Sequence, residues 1–268
     1  MKSVSPDGRI KKEILEKGKW GQKPAENSRC TVTIMDYAPL KNIVSTIIVI
    51  GDTDGELWNL IEICLGTMDV GEKSKFFISL PNEDISLIIC LEELVFDGYI
   101  YKWDAIKKFS LATYHKEKGN DLFKSNRNKE AALRFIKALK ILHSIPLDAE
   151  ELPISIENLQ VSNLINLKEI LYNNLSSCYF RNSRWLKVID ISQKVLLYNS
   201  NNVKALYKLG IAYKNDRNFE KSFEAFSKVL KLEPDNKACT EHMNVVKDEL
   251  RKADIRVKSM VKKMFSHC

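Results

Sequence analysis

One self-similarity constrains this chain more than any other feature. In its C-terminal half three segments carry the same helical frame. The first contains Gly119, Leu122, Ala131, Phe135 and Ala138. The second contains Tyr172, Leu175, Ser176, Tyr179, Val188 and Val195, and the third Leu206, Leu209, Gly210, Tyr213, Ser222, Phe226, Val229 and Pro234. Ser176 and Gly210 are 34 residues apart, whereas Gly119 and Ser176 are 57 apart, 23 more than one period. A recurring two-helix unit cannot bury its apolar face alone, so such units stack. The chain therefore builds a one-dimensional array of helical hairpins over residues 110–236.

These frames resemble the tetratricopeptide repeat, in which small residues at the helix crossing let two helices pack closely. The repeats run over about 110–143, 168–202 and 203–236. The extra residues fall on "HSIPLDAEELPISIENLQ", an acidic, proline-containing stretch that predicts a surface loop. Residues 237–268 predict a capping helix, with Ile255, Val261, Met264 and Phe265 on an apolar side that covers repeat three. That helix is also basic, a pattern shared with segments that bind calmodulin or an acidic membrane.

Residues 1–100 have a different character. Cys30, Val32 and Ile34 alternate with Thr31, Thr33 and Met35, the period of a strand. Ile43–Ile50, Lys75–Leu80 and Ile85–Phe96 are β-rich as well. Between them, Leu57, Trp58, Leu60, Ile61, Cys64, Leu65 and Met68 recur at three and four, predicting a helix over Glu56–Met68. One helix against a small antiparallel sheet is an α+β domain, joined by a linker at 101–109 to the all-α repeats.

"SPDGRIKKEILEKGKWGQKPAENSRCTVTI" followed by "LIEICLGTMDVGEKSKFFI" resembles the FK506-binding (FKBP) prolyl-isomerase domain in its opening strands, its helix and its Met-x-x-Gly-Glu turn. The departures concern the pocket. Active members have Asp-Gly-x-x-Phe-Asp before the helix, where this chain has "YAPLKNIVSTIIVIGDTDGELW". The aromatic floor aligns with Ile61, and the long loop with its Tyr-Gly is cut to "LPNEDIS". Trp58 lies one turn away from Ile61 and reads as a core or boundary residue. The resemblance implies a degenerate domain with no catalytic residue, no cofactor and no metal. The alternative is a working isomerase tethered by its repeats.

An FKBP-like α+β domain followed by a tetratricopeptide superhelix resembles the large immunophilins. In that family the groove of the repeats holds a "carboxylate clamp". Lys116, Asn120, Asn174, Lys204 and Lys208 fall where the family has Lys, Asn, Asn, Lys and Arg, so Lys208 departs from the pattern. Here the periodicity agrees: Lys204 and Lys208 are four apart on one face, as are Lys116 and Asn120. What the resemblance implies is an adaptor that binds the acidic C-terminal tail of heat shock protein 90 or 70. Client proteins would be held through the N-terminal domain. A germline relative serving small-RNA pathways through the same chaperone is a further reading of the resemblance.

Composition narrows the classes. The net charge is +7, with 44% hydrophobic and 29% charged residues, and basic and acidic side chains are interleaved. No aromatic-and-basic strand signature accompanies them, so no nucleic acid is expected. The apolar run Ile43–Ile50 is too short to cross a bilayer and Met1–Ile10 lacks the apolar core of a signal peptide. Six cysteines (Cys30, Cys64, Cys90, Cys178, Cys239, Cys268) without a C-x-x-C pair point to reduced thiols. The expected home is the cytoplasm, or the nucleus as well.

Overall fold

The computed structural model describes residues 2–36, 43–147 and 153–265. Two compact units meet at the bond between Trp103 and Asp104.

The first unit is a six-stranded antiparallel sheet in the order β1-β2-β5-β6-β3-β4. Its strands are β1 (Lys2–Val4), β2 (Ile10–Glu16), β3 (Arg29–Met35), β4 (Ile43–Val49), β5 (Lys73–Ser79) and β6 (Asp84–Val95). Helix α1 (Glu56–Leu65) lies between β4 and β5 in sequence. Alternation does the sorting: in β3, Cys30, Val32 and Ile34 point inward, and in β6 Ile85, Leu87, Ile89 and Leu91 do so. They meet Leu60, Ile61, Cys64 and Leu65 from α1 in one core. Two charges sit inside it as a pair. Lys12 bonds Glu72 at 2.7 Å, and Glu72 also accepts from Ser74 Oγ and the Asp69 amide.

Among the described residues the second unit is helical apart from one hairpin. Its helices are α2 (Ala105–Lys124), α3 (Asn128–His143), α4 (Val161–Arg181), α5 (Trp185–Tyr198), α6 (Val203–Asn215), α7 (Phe219–Leu232) and α8 (Lys237–Phe265). Sequence neighbours pack pairwise as three hairpins and a last helix. Helix α2 begins at Ala105, capped by Asp104, whose carboxylate accepts from the Lys107 amide at 2.6 Å. Half of the segment expected to be a linker is thus helix.

The hairpins share one crossing device. Gly119 faces Phe135 and Gly210 faces Phe226, each ring occupying the space where a Cβ would stand. The middle repeat replaces the ring with a hydrogen bond between the buried Ser176 and Ser192 hydroxyls at 2.8 Å. In the 23-residue insertion, residues 148–152 lie outside the described residues. The remainder is more than a surface loop. It forms a hairpin, β7 (Ser155–Ile156) with β8 (Leu159–Gln160), whose Leu159 is buried in the repeat core. At its turn, Glu157 accepts from the Ala105 amide at 2.6 Å, meeting one of the unsatisfied donors at the start of α2.

The capping expectation holds for only half of α8. Cys239, Met243 and Val246 are buried against Leu206, Phe226 and Val229 of repeat three. Ile255, Val261 and Met264 are 66%, 45% and 73% exposed, so the apolar side expected to cover the repeat does not do so. The reason is length: α8 has 29 residues and its neighbour α7 has 14, so the second half of α8 outruns its partner. The Phe265 side chain and Cys268 lie outside the described residues. Cys30, Cys64, Cys178 and Cys239 are free and buried, and burial pushes their thiols up to about 12, 12, 12 and 11.

Candidate functional site: the inner helices of the repeats

Helices α2, α4 and α6 are the first members of the three hairpins and carry all five clamp candidates. Asn120 and Asn174 meet directly, the Asn174 amide donating to the Asn120 side-chain oxygen at 2.9 Å. Repeats one and two are thereby joined at two of the five positions the sequence singled out. Lys116 lies one turn before Asn120 on α2 and is half-buried; Lys204 at the start of α6 is exposed. Among the described residues neither lysine has a hydrogen-bonding or ion-pair partner, so both ammonium groups are available to an anion. The start of α6 is fixed by Asn202, whose side chain accepts from the Ala205 amide.

Lys208 is placed differently from the other four. It is 8% exposed, and its ammonium donates to the Asn173 carbonyl oxygen at 2.9 Å, to Asn173 Oδ1 at 2.7 Å and to Ser177 Oγ at 2.9 Å. Burial, reinforced by the nearby charge of Lys204, lowers its pKa to about 8. Lys208 is therefore a strut between α6 and α4, and the reach into an open groove expected from helical periodicity is not what it does. A helical wheel gives the direction of a side chain but not the depth at which a neighbouring helix covers it.

Asn173 is the residue that sequence reasoning missed. Counting two residues from Tyr172 selects Asn174; Asn173 lies 100° away on α4, toward α6. The readable signal was the four-residue spacing of Asn173 and Ser177, which puts two oxygens on one face opposite Lys208. With its oxygen turned to Lys208, Asn173 lines a cavity of about 710 Å³ together with Lys204, Val203 and Tyr207. Ile170 adds apolar wall, and Glu169, Glu233, Asn202 and Asn236 add polar groups.

The first unit places its isomerase-aligned residues in the core. Ile61 is 0% exposed, and Leu57 and Trp58 pack half-buried against the same cluster. Of "LPNEDIS", residues 80–83 are a tight connection between β5 and β6, closed by the Leu80 amide donating to Glu83 O at 2.9 Å, and the rest opens β6. Of the stretch before α1, residues 37–42 lie outside the described residues; the rest is β4 and the approach to α1.

The tetratricopeptide repeat family matches residues 203–236, which span α6 and α7. The C-terminal TPR-containing domain of an FK506-binding protein from Plasmodium falciparum is 31% identical. It covers 58% of this chain and is itself covered to 98%, with a TM-score of 0.52. The FK506-binding protein-like protein of Mus musculus is 27% identical over 97% of this chain and 72% of its own length. Human peptidyl-prolyl cis-trans isomerase FKBP4 is 26% identical over 97% of this chain, which spans 59% of that relative.

Proposed function

Since the chain belongs to the FK506-binding proteins that carry tetratricopeptide repeats, we propose that its repeats receive the acidic C-terminal tail of a heat-shock chaperone. In this reading the protein is a co-chaperone that links the chaperone to clients held by the first unit. The observation that carries it is the bond between Asn174 and Asn120, together with the ammonium groups of Lys116 and Lys204, which have no partner among the described residues. A peptide ending in aspartate presents a terminal carboxylate and side-chain carboxylates. Lysine ammonium groups meet these with charge-assisted bonds of roughly 1.5–3 kcal/mol each before losses. The asparagine amides add donors and acceptors for the peptide backbone without adding charge. Asn173 stands in for the fifth clamp group, held in place by Lys208.

The proposal includes a first unit without isomerase activity. A prolyl-isomerase site needs an open apolar cradle, and full burial of Ile61 at the position of the family's aromatic floor supports its loss.

The deciding experiment is a titration of the full chain with a peptide ending in Glu-Glu-Val-Asp, as free acid and as amide. The acid binds, and amidation or Lys204→Glu removes binding while the helical signal stays normal. Affinity falls with added salt, because Lys204 is exposed and Lys116 only half-buried. Equal affinity for acid and amide would overturn the clamp. A protease-coupled assay on the same protein tests the first unit, where acceleration matching an active family member would refute the loss of activity.

A further inference from the structure

Resting on that reading, we propose that the cavity beside the clamp is a selectivity subsite, which takes a long cationic side chain, arginine or lysine, from the stretch just upstream of the acidic end. The cavity, at about 710 Å³, lies within the range of pockets that enclose a ligand group. Lys204 and Asn173 belong to both regions, so the cavity adjoins the place where the carboxyl end of a clamped tail would sit.

The lining has two chemical parts. Val203, Tyr207 and Ile170 form an apolar wall suited to an aliphatic stem. Glu169 and Glu233 supply negative charge. The Glu169 carboxylate accepts from the amides of Asn199 at 2.9 Å and Asn202 at 2.8 Å. Asn202 is immobilised in turn as the cap of α6, accepting from the Ala205 amide at 2.9 Å. Glu233 accepts from the Asn236 amide at 2.9 Å. Both carboxylates are thus aimed by neutral donors, and among the described residues neither has a cationic partner. Two fixed carboxylates against the single ammonium of Lys204 leave the hollow net negative, which favours a guanidinium or ammonium on a flexible stem. The Tyr207 ring on the same wall adds a face for that cation. Lys204 does not cancel the field once the tail is seated, because the peptide's own carboxylate neutralises it from the clamp side. An acidic upstream residue would be repelled and a short one would leave the hollow empty.

The test uses the full chain and a set of peptides ending in Glu-Glu-Val-Asp with three alanines upstream. Arginine replaces one alanine at a time, glutamate replaces it in a parallel set, and each peptide is also made as an amide. At one placement arginine tightens binding roughly three- to tenfold over alanine, and glutamate at that placement does not. In Glu169→Gln/Glu233→Gln the arginine-to-alanine ratio drops to about one; Glu169→Lys reverses the preference toward glutamate. If amidation abolishes binding but arginine brings no gain anywhere, or its gain survives the double substitution, the subsite is refuted and the clamp stands. If amidation changes nothing, the clamp itself has failed.

Discussion

Lys208 holds Asn173 by two atoms at once, donating to its backbone carbonyl oxygen at 2.9 Å and to its side-chain oxygen at 2.7 Å. The bidentate grip orients the Asn173 side chain and ties repeat three to repeat two. Lys208 stands where the family pattern has an arginine, and in this chain its ammonium is occupied by oxygens of Asn173 and Ser177.

Lys208→Arg is accordingly expected to weaken the fold and to leave tail affinity no tighter, although the family pattern alone argues for a gain. Three oxygens within 2.9 Å of one nitrogen make a cradle for a compact ammonium, with no room for a planar fork. Overpacking of this kind costs about 1–3 kcal/mol. Urea unfolding and a peptide titration on the same variant measure both effects, and tighter binding at unchanged stability would contradict the strut.

Tail binding should depend on pH through the same group. With a pKa near 8 in the free protein, Lys208 is charged below that value and neutral above it. A bound acidic tail favours the charged form, so the bound-state pKa is higher. Affinity is therefore full below about pH 8 and falls as pH rises beyond it, by at most roughly tenfold per pH unit. The loss stops once the bound-state pKa is passed. Calorimetric titration between about pH 7 and pH 9.5 shows the decline in the parent. In Lys208→Met the curve is flat over the same interval, and an equal decline there would assign the titration to another group.

The crossing glycines give a direct packing test. A Cβ on Gly210 would stand 2.5 Å from Phe226 Cε1, and one on Gly119 would stand 2.6 Å from Phe135 Cε1. Gly210→Ala is expected to lower stability by roughly 1–3 kcal/mol despite alanine's better helix propensity. Adding Phe226→Leu to Gly210→Ala should make the combined loss smaller than the sum of the two single losses, because the leucine vacates the space the methyl needs. Full additivity in denaturant unfolding would show that the two residues do not press on one another.

What the sequence discloses and what it hides divide along a physical line. The alternation of Cys30, Val32 and Ile34, the turn of Gly71 and Glu72, and the glycine-phenylalanine spacing all mark buried faces. Burial forces a period that can be read. In the middle repeat Ser192 stands where Phe135 and Phe226 stand in the others, and a serine hydrogen bond leaves no hydrophobic signal. The placement of Asn120, Asn174 and Lys204 outside the core was legible because they lie off the apolar stripe at fixed offsets from it. The depth of Lys208 was not, since it depends on how closely α4 approaches α6. The fate of the last helix depends likewise on the length of α7.

Restoring the aromatic floor of the first unit should not restore an isomerase. Ile61 is fully enclosed between α1 and the sheet, so Ile61→Trp inserts bulk into a filled core and lowers stability by about 1–3 kcal/mol. A protease-coupled peptide assay on folded Ile61→Trp protein is expected to stay at background. Turnover appearing in the variant would mean that the pocket is intact and lacks only its floor.

Helix α8 also sets where native order is held cooperatively. Up to Leu250 its backbone is protected by the repeats, and exchange of those amide hydrogens with solvent requires repeat three to open. Beyond that point Val257, Met260 and Met264 have no partner surface among the described residues, and an isolated helical segment of about that length is marginal in water. One continuous helix thus contains two thermodynamic compartments. The inner one is coupled to global unfolding, while the outer one opens and closes on its own far more often. A protease that cuts after basic residues would find Arg251, Lys252, Arg256 and Lys258 in the outer compartment and could shorten the chain there without unfolding the array that precedes it.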